Sequence, residues 1–192
     1  MGQCLEVYCI EHQWLKDTID SGQDAVRRAI SGRFRSNIYR DNDWNDLSND
    51  RGAPNIFEAI RDLIMGDPRD LDDHLYWYAF KYIVNFNGRF LDNSQFCPFR
   101  GDYLGDIGEE LKGHGAGALD LYSLAWGGSP SGTKVPQPMD GVNFGRWEAA
   151  EIKDGLAALS AASDLSPACA SVLEWLKTAD ERGHILVGIH TI

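Results

Sequence analysis

The chain is poor in sulphur and has no long apolar run. Its four cysteines, Cys4, Cys9, Cys97 and Cys169, form no Cys-x-x-Cys pair. They are too sparse for a disulfide scaffold. The expectation is reduced, mostly buried thiols. No stretch approaches the roughly 20 apolar residues that cross a bilayer as a helix. The opening MGQCLEVYCI lacks the basic n-region of a secretory signal. Its Met1-Gly2-Gln3-Cys4 start has the form of an acylation site, but Glu6 stands where Ser or Thr is required. A cytoplasmic protein without a membrane partner is expected.

Basic residues are also in deficit. Lys and Arg number 18 against 29 Asp and Glu, a formal net charge of -11. Such a chain repels nucleic acid and anionic membranes and favours a basic protein partner. Hydrophobic residues make up 43%, enough for a sizeable core and too many for a disordered chain.

The pattern along the chain is mostly helical, with a strand at each end. CLEVYCI (4–10) is apolar except for Glu6 and reads as an internal strand. Residues 11–30 have helical spacing, with a break near Ser21-Gly22. Arg27, Arg28, Arg33, Arg35 and Arg40 fall in an acid-free stretch, and DNDWNDLSND (41–50) reads as a polar loop. Pro54 and Gly66 bracket a helix with Ile56, Phe57, Ile60, Leu63 and Ile64 on one face.

DLDDHLYWYAFKYIVNFNGRFLDN (70–93) reads as a capped, buried helix. Asp70 is its N-cap, and Asp72 and Asp73 suit the positive end of its dipole. Leu71, Leu75, Tyr78, Ala79, Tyr82 and Phe86 form one apolar face, and Trp77, Phe80 and Val84 cover much of the other. Gly88 closes it. Residues 102–112 read as a short acidic helix ended by GHGAG. Residues 127–145 form the longest loop, a length that marks a functional or mobile segment.

Two further helices follow. The first carries Ile152, Leu156 and Leu159 on one face. The second opens with Ser166-Pro167, buries Cys169, Val172, Leu173 and Leu176, and stops at Gly183. HILVGIHTI ends the chain as a near-continuous apolar strand. The fold expected over 1–192 is therefore α+β: one mostly helical domain with a small sheet containing the N-terminal and C-terminal strands.

Chemistry-bearing residues are few. Asp70, Asp73 and His74 stand at i, i+3 and i+4 on one helical face and are the candidate metal ligands. Helix capping explains the acids without any metal, so no cofactor is expected. Asp41-x-Asp43-x-Asn45 opens like an EF-hand, but Asp46 fills the sixth position and Gly52 the twelfth, where Gly and Glu are required. GGSPSG is not a nucleophile elbow, and Gly113-x-Gly115-x-Gly117 follows a helix rather than a strand. His184 and His190 lie six apart on the last strand and share a face. In Gly145-Arg146-Trp147, Trp147 reads as a core residue in the opening turn of a helix. The functional alternative is a pocket mouth where Arg146 meets an anion. The candidate ligand-binding set is thus Arg146, Trp147, His184 and His190.

The segments NFGRWEAAEIKDGLAAL (143–159) and VLEWLKTADERGHILVGIH (172–190) resemble the YfbM-like family of uncharacterised bacterial proteins and related domains of unknown function. YWYAFKYIVNFNGRFLDN and GGSPSGTKVPQP resemble the related group. The resemblance implies a bacterial, cytoplasmic α+β domain and carries no catalytic residues.

Three functional readings follow. One is a non-enzymatic acidic interaction protein, of which a toxin-neutralising, immunity-type protein is one form. The alternative is a small-molecule binder or enzyme with its pocket near the 127–145 loop. A homodimer built on Trp14, Trp44, Trp126 and Trp147 is the third.

Overall fold

A computed structural model describes residues 2–44, 55–69, 74–136 and 142–192. The sheet has the order β2-β1-β4-β3. Its strands are β1 (Cys4–Ile10), β2 (Arg89–Phe90), β3 (Asn143–Trp147) and β4 (Ile185–Thr191), and every neighbouring pair is antiparallel. The two terminal strands form its centre, pairing from Cys4 opposite Thr191 to Ile10 opposite Ile185.

Helices cover both faces. Before β2 come α1 (His12–Thr18), α2 (Asp24–Arg33), α3 (Arg35–Trp44), α4 (Ile56–Met65) and α5 (His74–Asn87). After it come α6 (Tyr103–Gly113), α7 (Leu121–Trp126), α8 (Ala149–Ser160) and α9 (Pro167–Arg182). Strand alternation sorts the core into two clusters. Tyr8, Ile10, Phe144, Ile185, Val187 and Ile189 join the helices that precede β2. Leu5, Val7, Cys9, Trp147 and Leu186 join those that follow it. With both faces covered, β1 and β4 need apolar residues on each, which is why they read as near-continuous apolar runs.

Local chemistry sets the helix ends. Asn55 caps α4 by accepting from the Glu58 N–H at 3.1 Å, and Glu58 returns the bond to the Asn55 N–H. Gly66 ends the helix in the left-handed region at φ 76°. Ser166 accepts from the Cys169 N–H at 3.2 Å, Pro167 opens α9, and Gly183 closes it at φ 64°. Helix α5 is buried nearly all round, as its pattern requires: Leu75, Tyr76, Trp77, Ala79, Phe80, Tyr82, Ile83 and Val84 are all inside.

Several expectations are corrected. Cys4 and Cys97 form a disulfide across 93 residues, and only Cys9 and Cys169 are free thiols. The loop after β2 runs beside the first strand and brings Cys97 to Cys4, with Gln3 bridging Phe99. Spacing along the chain does not reveal such a pair. Gly145-Arg146-Trp147 lies in β3, not in the opening turn of a helix, because it pairs with Gly188, Val187 and Leu186 of β4. Helix α3 runs on through the start of the 41–50 stretch. Pro54 and Leu71 lie outside the described residues.

Candidate functional site

The structure does not bring Arg146, Trp147, His184 and His190 into one site. Trp147 is fully buried, and its indole N–H donates to the Asp120 carbonyl at 2.8 Å. His184 and His190 do share a sheet face, but six residues of strand separate them by roughly 20 Å. The His184 Nδ1 lies 3.6 Å from the Cys9 sulphur. At the other end His190 is buried against Trp126, with ring centroids 4.4 Å apart, and meets Gln3 at 3.0 Å. Among the described residues its Nδ1 has no hydrogen-bond partner, and burial pushes its pKa down.

Arg146 holds the loop after α7. Its guanidinium donates to the Gly127 carbonyl at 2.6 Å and to Glu148 at 3.1 Å. The same carboxylate accepts from the Ser131 N–H, and His12 completes the cluster, its Nε2 donating to the Ser131 carbonyl at 2.8 Å. Burial works against the Glu148 charge, yet the Ser131 bonds, Arg146 and His12 together hold its pKa below the ordinary glutamate value. A cavity of about 190 Å³ remains here, lined by Ser123, Gly127, Arg146, Glu148 and Glu151.

Of the proposed metal ligands, Asp70 and Asp73 lie outside the described residues. His74 opens α5 on the surface, with its ring 6.4 Å from Tyr78. Among the described residues no group of three or more His, Cys, Asp or Glu could hold a metal ion. Asp41 of the EF-hand-like opening is helical and accepts from the Tyr82 hydroxyl at 2.5 Å. Of the tryptophans suggested for self-association, the side chain of Trp44 lies outside the described residues, and the other three pack against the protein itself. Trp14 stacks on Phe86, Trp126 packs on His190 and Trp147 is in the core.

Two larger concavities were not foreseen. One is a groove of about 440 Å³ between β2 with its following loop and α9. The other is a cleft of about 320 Å³ between α6 and α7, lined by Gly105, Gly108, Glu109, Gly117, Asp120 and Tyr122 among others. Asp120 caps α7 through the Tyr122 N–H at 2.9 Å and also accepts from Ser123. Tyr122, 44% exposed, donates its hydroxyl to Asp102. Its pKa is raised first by that bond, then by burial and by the fields of Asp102, Asp106 and Asp120. Glu109 and Asp120 thus line the cleft, Asp102 and Asp106 lie near its Tyr122, and Lys112, paired to Glu109 at 2.6 Å, is the cation of the lining. The sequence signal was partial. The acidic helix at 102–112 was legible, but α7 and its tyrosine were not.

Residues 1–190 match one family model, described as a domain of unknown function (DUF7691), and the chain belongs to that family. No curated protein and no solved structure matches the chain.

Proposed function

We propose that the chain is a non-enzymatic, acidic interaction protein of the bacterial cytoplasm that docks a basic partner protein. Neutralising a basic toxin, in the manner of an immunity protein, is its concrete form. The YfbM-like resemblance belongs to this proposal, since it shares the bacterial, cytoplasmic setting. The observation that carries it is the α6–α7 cleft. Glu109, Asp120 and a half-exposed tyrosine line it over a floor rich in glycine, and Asp102 and Asp106 lie close enough to that tyrosine to raise its pKa. A Lys or Arg side chain entering it meets Glu109 and Asp120 and packs its stem on Tyr122. The excess negative charge of the whole chain steers such a partner inward.

The small-molecule alternative is favoured less by size. The cavity beside Arg146 is about 190 Å³, below the roughly 300 Å³ at which ligand pockets begin.

The test is a photo-crosslinker in place of Tyr122, with the captured protein identified by mass spectrometry in wild type and in Asp106→Lys/Glu109→Lys. The expected partner is basic. Its affinity falls at least about tenfold in the charge-reversed variant and weakens with added salt. Capture of no specific protein, or affinity indifferent to both charge reversal and salt, overturns the reading.

A further inference from the structure

The second concavity has a different character, because one of its walls is a sheet edge. Among the described residues strand β2 is the outermost strand and pairs on one side only, with β1. Its register sets Arg89 opposite Cys9 and Phe90 opposite Tyr8, and the Leu91 N–H donates to the Val7 carbonyl at 2.9 Å. In an antiparallel ladder the backbone groups alternate in direction. Arg89 and Leu91 therefore spend theirs on β1, and the N–H and C=O of Phe90 point outward. Phe90 is 50% exposed.

Side chains alternate likewise. Phe90 lies on the face of Tyr8, their rings 5.5 Å apart, while Arg89 and Leu91 face α9. Across the groove α9 presents Ala170, Glu174 and Trp175. The Trp175 indole N–H donates to the Asp92 carbonyl at 2.7 Å, which fixes the wall after β2.

We propose that this edge and groove dock an extended segment of a partner protein by strand addition, with groove-facing side chains that are basic and apolar. A residue set opposite Phe90 exchanges both backbone hydrogen bonds with it, and its two neighbours project towards α9. There they meet apolar surface from Leu91, Ala170 and Trp175 and the carboxylates of Asp92 and Glu174. Glu174 is already paired to Lys177 at 2.7 Å, whereas Asp92 has no ion-pair partner among the described residues, so the groove offers a cation on the incoming strand one place, at Asp92. The charge of the whole chain, -11, and an edge strand of two residues argue against a second copy as the occupant. This docking goes beyond the α6–α7 cleft: it reads backbone and alternation, whereas the cleft reads a single cationic side chain.

The probe is a Thr-Val-Thr-Lys-Thr-Val-Thr heptapeptide, blocked at both ends and fluorescently labelled, which places Val, Lys and Val on one face. Anisotropy gives its affinity, and amide exchange over residues 89–92 locates it. Phe90→Pro removes the outward N–H and leaves the β1 bonds of Arg89 and Leu91 in place, a position where an edge strand accepts proline. Ala170→Trp fills the groove. A thermal midpoint within a few degrees of wild type shows that either variant is folded.

The expected result is saturable binding with slowed exchange at residues 89–92. Each of four changes weakens it by about tenfold or more: N-methylation of the threonines, Glu for Lys in the peptide, and the two protein variants. Absence of binding, or equal binding of the N-methylated peptide, overturns the proposal. Binding that survives Ala170→Trp but is lost in Asp106→Lys/Glu109→Lys places the peptide in the cleft. That result also overturns strand addition, while leaving the proposed function standing. A dimer of the free protein that Phe90→Pro dissolves assigns the edge to a second copy, with the same consequence.

Discussion

Gly145 and Gly188 face one another across β3 and β4, and backbone carbonyls of α7 occupy the space where each would carry a side chain. A Cβ at Gly145 would collide with the Ser123 and Leu124 carbonyls, and one at Gly188 with that of Leu124. The glycine pair lets α7 lie backbone to backbone on the sheet, with Leu124 and Ala125 buried in the core beneath. This seat also sets Tyr122 at the rim of the acidic cleft.

Gly188→Ala is therefore expected to destabilise the fold by about 1–3 kcal/mol, the usual range for overpacking, because the obstacle is backbone and cannot rotate away. Gly32→Ala is the contrasting control. Gly32 lies on the exposed side of α2 with nothing near its would-be Cβ, so alanine should add about 0.5–1 kcal/mol through helix propensity. Urea unfolding of the two variants, with unchanged m-values, checks both signs. A neutral Gly188→Ala would mean that α7 can lift freely.

His190 makes stability depend on pH. Burial pushes its pKa below the ordinary 6.5, and among the described residues its ring meets Gln3, Phe99 and Trp126, none of them an acid. The unfolded chain then binds the proton more readily than the folded one. Stability is full above pH 6.5 and falls as pH drops from there towards the folded value. His184 is shifted the same way, by burial and by Arg182, and adds to the slope. Chemical unfolding between pH 7.5 and 5 should show the loss, and His190→Gln should flatten it. An unchanged slope in His190→Gln/His184→Gln would assign the effect to other groups.

The fold was legible where local pattern and burial agree. CLEVYCI and HILVGIHTI announced two buried strands, and Ser166-Pro167 with Gly183 bracketed α9 to the residue. The elements that were missed depend on distant partners. Strand β2 is two residues long and exists only because β1 lies beside it. In β3, Gly145 weakens the strand signal, yet it is required by α7 overhead. The cleft was hidden for the same reason: Tyr122 meets Asp102 only after α6 and α7 fold against each other. His184 and His190 were correctly given one face. Alternation fixes the face and says nothing of the distance along it.

Arg146 should act on the loop after α7. Arg146→Ala removes the donor to the Gly127 carbonyl and one partner of Glu148, at an expected cost of about 1–2 kcal/mol. Hydrogen exchange should rise across residues 127–136. His12→Ala removes the other end of the cluster, so the double variant should cost less than the sum of the single ones. The depressed Glu148 pKa adds stability that is present above about pH 4.5 and is lost as pH falls. Additive effects with no change in exchange would mean that the four groups are neighbours without being a clamp.

The Cys4–Cys97 bridge bears on both stability and compartment. Closing a loop of 93 residues restrains the unfolded chain, which in the chain-entropy view stabilises the fold by about 4–5 kcal/mol. For a chain of this size that corresponds to a midpoint shift on the order of 10 °C. The native position of residues 96–99 does not rest on the bridge alone. Gln3 and Phe99 exchange backbone bonds at 2.9 and 2.8 Å, the Leu5 N–H donates to the Phe96 carbonyl at 2.9 Å, and Phe96 is fully buried. Reduction should therefore lower the midpoint and leave native exchange at 96–99 nearly unchanged, and Cys97→Ser should reproduce both results without reductant. The cytoplasmic reading adds a consequence, because that compartment keeps thiols reduced. Alkylation in intact cells, completed after unfolding without reductant and followed by the intact mass, should then find all four cysteines modified. A mass showing only Cys9 and Cys169 alkylated after unfolding would place the protein in an oxidising compartment and overturn the cytoplasmic assignment.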